Sequence, residues 1–369
     1  MKTNEAQIDS PSANSMDALC DALRHSASRW QTNADWPGES LALCGLAGVY
    51  RWFLPQSEGG IGWSAEDQTR GYLRLAEADF TTTFVITQYM GAIRRIMSSG
   101  NHAMIDHWIE RLVSGEQFGT VGVSHLTTSR RHLSRPAMLA TETASGFCLD
   151  GLSPWVTGAP HADMFVVGAT MADGREILAA VPASTPGIVA GKGINLIALS
   201  ASCTDQVRFD SVAIDREWVL AGPAENVMSV GSGGSTGGLQ TSTLAVGVSR
   251  AATNFLADEA TRRPELRQVS AGLTRELDQL QVALIQAGRG DDTATNCDPS
   301  IIRGDANRLV MRTTQAALVA AKGAGFIEGH LAGRLCQQAL FFLVWSCPPP
   351  VSQSHLCELA GIEQMDPWQ

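Results

Sequence analysis

The sequence predicts an α+β multidomain chain with an N-terminal helical domain, a middle β-barrel or sandwich domain, and a C-terminal helical bundle. Three observations carry that expectation. Apolar residues recur at helical spacing from Ser15 to about Glu116. Short runs rich in valine, threonine and aromatics, separated by Gly, Pro and Asp turns, fill the stretch from about Phe118 to Val219. Long helical stripes return from Thr241 onward. The boundaries drawn from these changes are 15–117, 118–225 and 226–369. Helices, then strands, then helices is not the βαβ alternation of a Rossmann or TIM architecture.

In the first region Met16, Leu19 and Leu23 form one stripe, Leu73, Leu75 and Ala78 another, and Ile93, Ile96 and Met97 a third. The loop from Pro55 to Gly62, with glycines at 59, 60 and 62, interrupts them. In the middle region Met164–Gly168, Ile177–Val181 and Gln206–Phe209 read as strands, and Pro186, Gly187, Ala221, Gly222 and Pro223 as turns. In the last region Leu244, Val248, Ala251, Ala252 and Phe255 share one helical face and Leu273, Leu277, Leu280 and Leu284 another. A third helix is expected over Arg308 to Gly323.

Composition bounds the function. Of 369 residues, 44% are hydrophobic and 17% charged, enough apolar material for a sizeable core. A net charge of −10 with no long basic run argues against nucleic acid or an anionic membrane surface as partner. The apolar run from Ala339 to Trp345 is too short to span a bilayer. The polar N-terminus lacks the apolar stretch of a signal peptide. Eight cysteines with no CxxC pair and no zinc spacing imply free thiols in a reducing cytoplasm.

Several local motifs fail on context. The GGSTG run at 233–237 matches a nucleophile elbow only in letters, because it sits in a Gly/Ser/Thr connector rather than between a strand and a helix. Gly231 and Gly233 lack the third glycine of a dinucleotide loop, and no P-loop lysine motif occurs. His102 and His107 are five apart and point to different helix faces, so they do not make a metal pair.

A family becomes visible in the middle region. Gly146 to Gly151, then Trp155, Val156, Thr157, Ala162, Asp163 and Val167, followed by Pro186, Gly187, Phe209 and Val212, resemble the middle domain of acyl-CoA dehydrogenases. Gly48, Pro55, Gly59, Gly60 and Gly62 resemble that family's N-terminal entry. Gly323, Gly325, Phe326 and Arg334 resemble the ending of a C-terminal helix.

The resemblance implies an FAD-dependent oxidoreductase acting on an acyl thioester or other small-molecule substrate, assembled as a homodimer or homotetramer. It implies that Trp155 packs near the flavin and that Thr157 bonds its central ring nitrogen. Val123 and Ser124 match the pair at the ring's pyrimidine end, and Gly323 matches a conserved helix-end glycine. Trp155 and Thr157 lie two apart on an expected strand and so are expected on one face. The residues alone leave Trp155 open between a core aromatic and a cofactor wall.

The departures are as informative. Where the family has Glu-Pro and a glycine loop, this chain has His125, Leu126, Thr127, Thr128, Ser129, Arg130 and Arg131, which removes the glycines and adds two cations. Ser346 takes the position of the family's catalytic glutamate, with Trp345 at the preceding tyrosine. A lone serine hydroxyl is a poor base. Some relatives carry the base on the first C-terminal helix, matching Thr243 and Leu244 here, but no Asp or Glu occurs from Asn226 to Ala257. The arginine-phenylalanine-glycine contact to a neighbouring subunit's cofactor is missing, with Arg262 to Arg267 in its place, and Pro348 to Pro350 replaces the stretch that approaches the cofactor. Two functions follow: a flavin oxidoreductase with altered chemistry, or a catalytically inactive member of the fold acting as a binding or assembly partner. A relocated base at Glu328 or Glu358 is a third, although isolated acids are usually solvated.

Overall fold

A computed structural model of the chain describes residues 7–30, 32, 34–127, 135–230, 239–289 and 298–362. Residues 128–131, the Gly/Ser/Thr run at 231–237 and Cys297 lie outside the described residues. In chain order the elements are α1 (Asn14–Ser26), α2 (Gly38–Leu46), α3 (Ala65–Ala78), α4 (Phe80–Ser98), α5 (His102–Val113), β1 (Gly119–Gly122), α6 (Ser124–Thr127), β2 (Met138–Glu142), β3 (Gly146–Val156), β4 (Met164–Met171), β5 (Glu176–Pro182), β6 (Ile188–Ala190), β7 (Asp205–Asp215), β8 (Val219–Ala224), α7 (Leu239–Arg262), α8 (Arg267–Gly288), α9 (Pro299–Ala321), α10 (Leu331–Ala339) and α11 (Pro349–Ala360), with short 3-10 turns between them. The chain folds as two compact units. One holds residues 1–9, 30–61 and 84–235, and the other 10–29, 62–83 and 236–369.

The first unit contains one eight-stranded sheet in the order β6-β7-β3-β2-β4-β5-β8, with β1 paired to β4. Both β1 and β2 run parallel to β4, β1 beside its first half and β2 beside its end. Strands β2, β3, β4, β5 and β7 bury a common core that includes Phe147, Leu149, Phe165, Val167, Ile177, Val181, Phe209, Val212 and Ile214. Alternation puts these residues inside, and where it breaks there is a bulge. In β7 Phe209 and Val212 are both buried although three apart, because Ser211 takes φ 51° and the register against β3 shifts there.

The helices of this unit pack aromatics. Tyr50 meets Tyr89 edge-on at 4.6 Å, the Tyr50 hydroxyl donates to the Leu41 carbonyl at 2.6 Å, and Tyr89 donates to the Leu112 carbonyl. The 55–62 loop turns on Gly60, where a Cβ would fall 2.0 Å from the Leu54 carbonyl oxygen, so only glycine lets the chain fold back.

The second unit is helical. Ser64 caps α3 by accepting from the Asp67 amide, and Asp298 caps α9 by accepting from the Ser300 and Ile301 amides. That cap, with Pro299 at the first turn, starts α9 nine residues before the predicted Arg308. The expected leucine stripe of α8 is buried in full. At Gly247 a Cβ would lie 2.7 Å from the Ala76 Cβ and 2.8 Å from the Leu73 carbonyl oxygen, so α7 and α3 approach at a glycine.

The Ala339 to Trp345 run is not one apolar face. Ala339 and Phe342 are buried while Leu340 and Val344 are exposed, because a 3-10 turn replaces the α-helix at Leu340.

Candidate functional site

Four of the residues matched to a flavin site stand in the first unit, around the end of β3. Pro154 and Trp155 form a bulge, in which three steps of β3 from Ser153 to Val156 oppose two of β7. Trp155 adopts φ 57°, a left-handed backbone that a bulky side chain avoids unless its surroundings impose it. The ring is consequently turned outward and is 56% exposed within the chain, whereas Val156 beside it is fully buried. Trp155 is therefore not a core aromatic.

The bulge also overturns the expectation that Trp155 and Thr157 share a face. The two-residue repeat holds only in a regular strand, and the extra residue shifts it. Thr157, just past β3, is 2% exposed.

Thr157 ends a buried chain of hydroxyls. Ser202 and Thr204 lie 2.8 Å apart, and Thr204 donates to the Thr157 oxygen at 3.2 Å. Since Thr204 has one proton and gives it to Thr157, Ser202 must donate to Thr204. The Thr157 proton is then left to donate elsewhere. The Gly158 amide, donating to the Ser202 carbonyl at 2.8 Å, ties the same two segments together. In the sequence Ser202 and Thr204 carry only a weak signal, a small polar alternation (Ser200, Ser202, Thr204) leading into a strand.

Ser124 opens the short helix α6. Its hydroxyl donates to the Pro154 carbonyl at 2.8 Å, which joins the end of β1 to the bulge that carries Trp155. Val123, between β1 and α6, is 9% exposed. His125 turns inward and bonds the Gly168 carbonyl at 2.8 Å through Nε2. At Gly122 a Cβ would lie 2.4 Å from the Ser153 hydroxyl, so β1 and β3 approach closely there. Behind the bulge, Trp36 stacks on His161 at 4.4 Å with 14° between the planes, and burial lowers the His161 pKa below its ordinary value.

The remaining candidates stand in the second unit. Gly323 lies in a 3-10 turn after α9, and a Cβ there would meet nothing within 4 Å. Ser346 takes φ 46° in the turn before α11. The Thr243 hydroxyl donates back to the Leu239 carbonyl at 2.8 Å, and Leu244 is fully buried. Glu328 is exposed, and Glu358 pairs with Arg308 at 3.0 Å. None of these positions offers a carboxylate poised as a base.

A groove of about 1190 Å³ opens along α7 and α8, lined by small residues such as Ala257, Ala260, Ser270 and Ala271, and none of the candidates lines it. Among the described residues no group of three His, Cys, Asp or Glu side chains is placed to hold a metal ion, and no helix is long and apolar enough to cross a membrane.

No family model matches the sequence. Benzylmalonyl-CoA dehydrogenase of Aromatoleum aromaticum (strain DSM 19018 / LMG 30748 / EbN1) is 25% identical over 229 residues, covering 58% of this chain and 56% of that protein. The chain thus spans about half the length of this curated relative. Among solved structures, a glutaryl-coenzyme A dehydrogenase glutaryl-CoA complex superposes with a TM-score of 0.79 at 15% identity, over 95% of this chain and 96% of that one. A glutaryl-CoA dehydrogenase from Mycobacterium smegmatis in complex with FADH2 superposes with a TM-score of 0.75 at 20% identity, over 96% of each. The order of helices, sheet and helices and the near-complete superposition agree: this chain has the acyl-CoA dehydrogenase fold, and its sequence is similar to a benzylmalonyl-CoA dehydrogenase over 229 residues.

Proposed function

We propose that the protein is an FAD-dependent oxidoreductase of acyl-CoA dehydrogenase type whose chemistry does not use the family's glutamate. The observation that carries this reading is the exposed indole of Trp155, held out by a left-handed bulge whose Pro154 carbonyl is tied to the Ser124 hydroxyl. An outward aromatic fixed on a rigid strand end, with polar groups at its rim, suits the flat, mostly apolar ring of a flavin. The residues present fit the group. Trp155 would cover part of the ring. Val123 and Ser124 would meet its polar edge. Thr157, whose oxygen accepts from Thr204, has a proton left to donate. Gly323, matched to a helix-end glycine of the family, stands in the second unit, in a turn where a Cβ would meet nothing within 4 Å.

Bound FAD supplies an acceptor for a hydride. The chain's own part is to orient the ring through Trp155 and Ser124 and to present the Thr157 donor. Ser346 holds no proton-accepting carboxylate, so the reading favours a substrate acidic enough to lose its proton unaided. An acyl thioester is the substrate class that the relatives suggest.

The test is the visible spectrum of protein purified without added flavin, with FAD identified after denaturation. Flavin bands that respond to an acyl thioester or to oxygen support the reading. A colourless protein that refuses FAD on titration overturns it.

One set of observations favours the second reading, a binding or assembly partner without catalysis. Ser346, Thr243 and Leu244 carry no carboxylate, and Glu358 is occupied by Arg308. Retained FAD that no acyl thioester and no oxygen changes would support this alternative.

A further inference from the structure

Helix α4 carries neither Asp nor Glu, and its only charged residues are Arg94 and Arg95. Arg94 lies over the Phe53 ring, 4.5 Å from its centre. Arg95 is half-buried and folds back along the helix, where Nη1 donates to the Gly91 carbonyl at 2.9 Å. Gly91 makes room for it. A Cβ there would lie 3.3 Å from Arg95 Nη1 and 3.4 Å from Cγ1 of Val121. Glycine weakens the interior of a helix, and at this one the guanidinium and a side chain of β1 come together over the missing side chain. Val121 stands two residues before Val123, the first of the pair matched to the polar edge of a flavin, and Ser124 ties the same segment to the bulge of Trp155. The cation is thus placed, within the first unit, against the strand that leads into the candidate site.

Nothing anionic in the chain answers this charge. Among the described residues no Asp or Glu pairs with Arg95, and none occurs from Gln117 to Ser124. Burial, with repulsion from Arg94 added, holds its pKa down to about 10, which still leaves a cation at neutral pH. A guanidinium carries five N–H donors in a planar fork, and the Gly91 carbonyl engages only Nη1. The rest of the fork suits the two oxygens of a carboxylate.

We propose that Arg95 is a specificity-determining residue that pairs with a free carboxylate on the acyl group, so that the substrate is a monothioester of a dicarboxylic acid. The inference rests on the flavin reading above. The residues matched at this end of β1 face the ring, and the ring of oxidised flavin is uncharged. An anion that meets Arg95 there is supplied by what lies against the ring, which is the acyl group.

The test is isothermal titration calorimetry of the purified full chain, with its FAD content recorded. Succinyl-, glutaryl- and adipyl-CoA are each compared with the neutral thioester of the same length, butyryl-, pentanoyl- and hexanoyl-CoA. At least one diacid thioester is expected to bind roughly tenfold or more tightly than its neutral partner, the worth of a hydrogen bond to a charged group. Arg95→Gln should erase that difference and keep its FAD. Arg95→Lys, which keeps the charge without the fork, should lose part of the difference and leave the neutral thioesters unchanged. Equal binding of every pair by the native chain, a difference that persists in folded Arg95→Gln, or loss of FAD from that variant, which would assign the cation to the cofactor, would each overturn the proposal. Should Arg95→Gln fail to fold, an undiminished difference in Arg95→Lys overturns it instead. A chain without flavin sinks the flavin reading, whereas the preference for a diacid is decided separately by the calorimetry.

Discussion

The hydroxyl of Thr204 donates to the hydroxyl of Thr157 at 3.2 Å, across 47 residues of sequence, and so fixes which way the Thr157 proton can go. Thr204→Val keeps the shape and removes the donor. On the flavin reading, it frees Thr157 to donate inward or rotate, and FAD affinity should fall by roughly threefold to tenfold, the worth of one hydrogen bond. Thr157→Val, which removes the donor itself, should lose at least as much. Titration of apoprotein with FAD, followed by flavin absorbance, checks both. Unchanged affinity in both variants would detach the hydroxyl chain from cofactor binding.

Trp155 should matter to ligand binding and little to folding. Trp155→Gly relieves a left-handed conformation that costs about 1 kcal/mol, while the added freedom of glycine in the unfolded chain offsets a similar amount. The exposed indole leaves no cavity behind. Stability should stay within about 1 kcal/mol of the native chain, whereas truncating the fully buried Trp52 to alanine should cost about 3–5 kcal/mol. Urea unfolding measures the first quantity and flavin retention the second, which should be lost in Trp155→Gly.

Restoring the family's carboxylate gives a gain-of-function test. Ser346→Glu places an acid at the position matched to the catalytic glutamate. Anaerobic addition of an acyl-CoA panel should bleach the flavin of this variant faster than that of the native chain. No gain with any panel member would mean that the substrate or its placement has diverged along with the base.

His161 should make folding sensitive to acid. Burial against Trp36 holds its pKa below the ordinary 6.5, so the folded state favours the neutral ring. The sign follows: the stabilisation is fully present above pH 6.5 and is lost as pH falls through 6.5 toward the lower folded value. Urea midpoints of the native chain should drop between about pH 7 and 5 more than those of His161→Phe, which keeps the stack without the titration. Parallel pH curves would assign the acid response to other groups.

Much of the fold could be read from the sequence, because it rests on periodicity. The leucine stripe of α8 and the alternation around Val207 and Phe209 are local signals, and both elements form where they are expected. What escaped depends on one inserted residue or on distant partners. The parity that put Trp155 and Thr157 on one face fails at a bulge that no residue type announces. Ser202 and Thr204 gain meaning only when β7 lies beside β3. Arg303 sits among apolar neighbours on α9 and reads as a surface charge until its burial is known.

The pairing of β1 and β2 to successive halves of one edge of β4 has a consequence for how the candidate site is held. Met164 to Val167 hold Gly119 to Gly122, and Thr170 and Met171 hold Leu139 and Ala140. The chain leaves and rejoins the same strand, so both ends of the intervening stretch are clamped by a single rail. Within that stretch His125 bonds the Gly168 carbonyl of the same rail and Ser124 holds the Pro154 carbonyl of β3. The two anchored strands and these two side chains therefore form one fastening, and a change at any of them is felt at the bulge that carries Trp155.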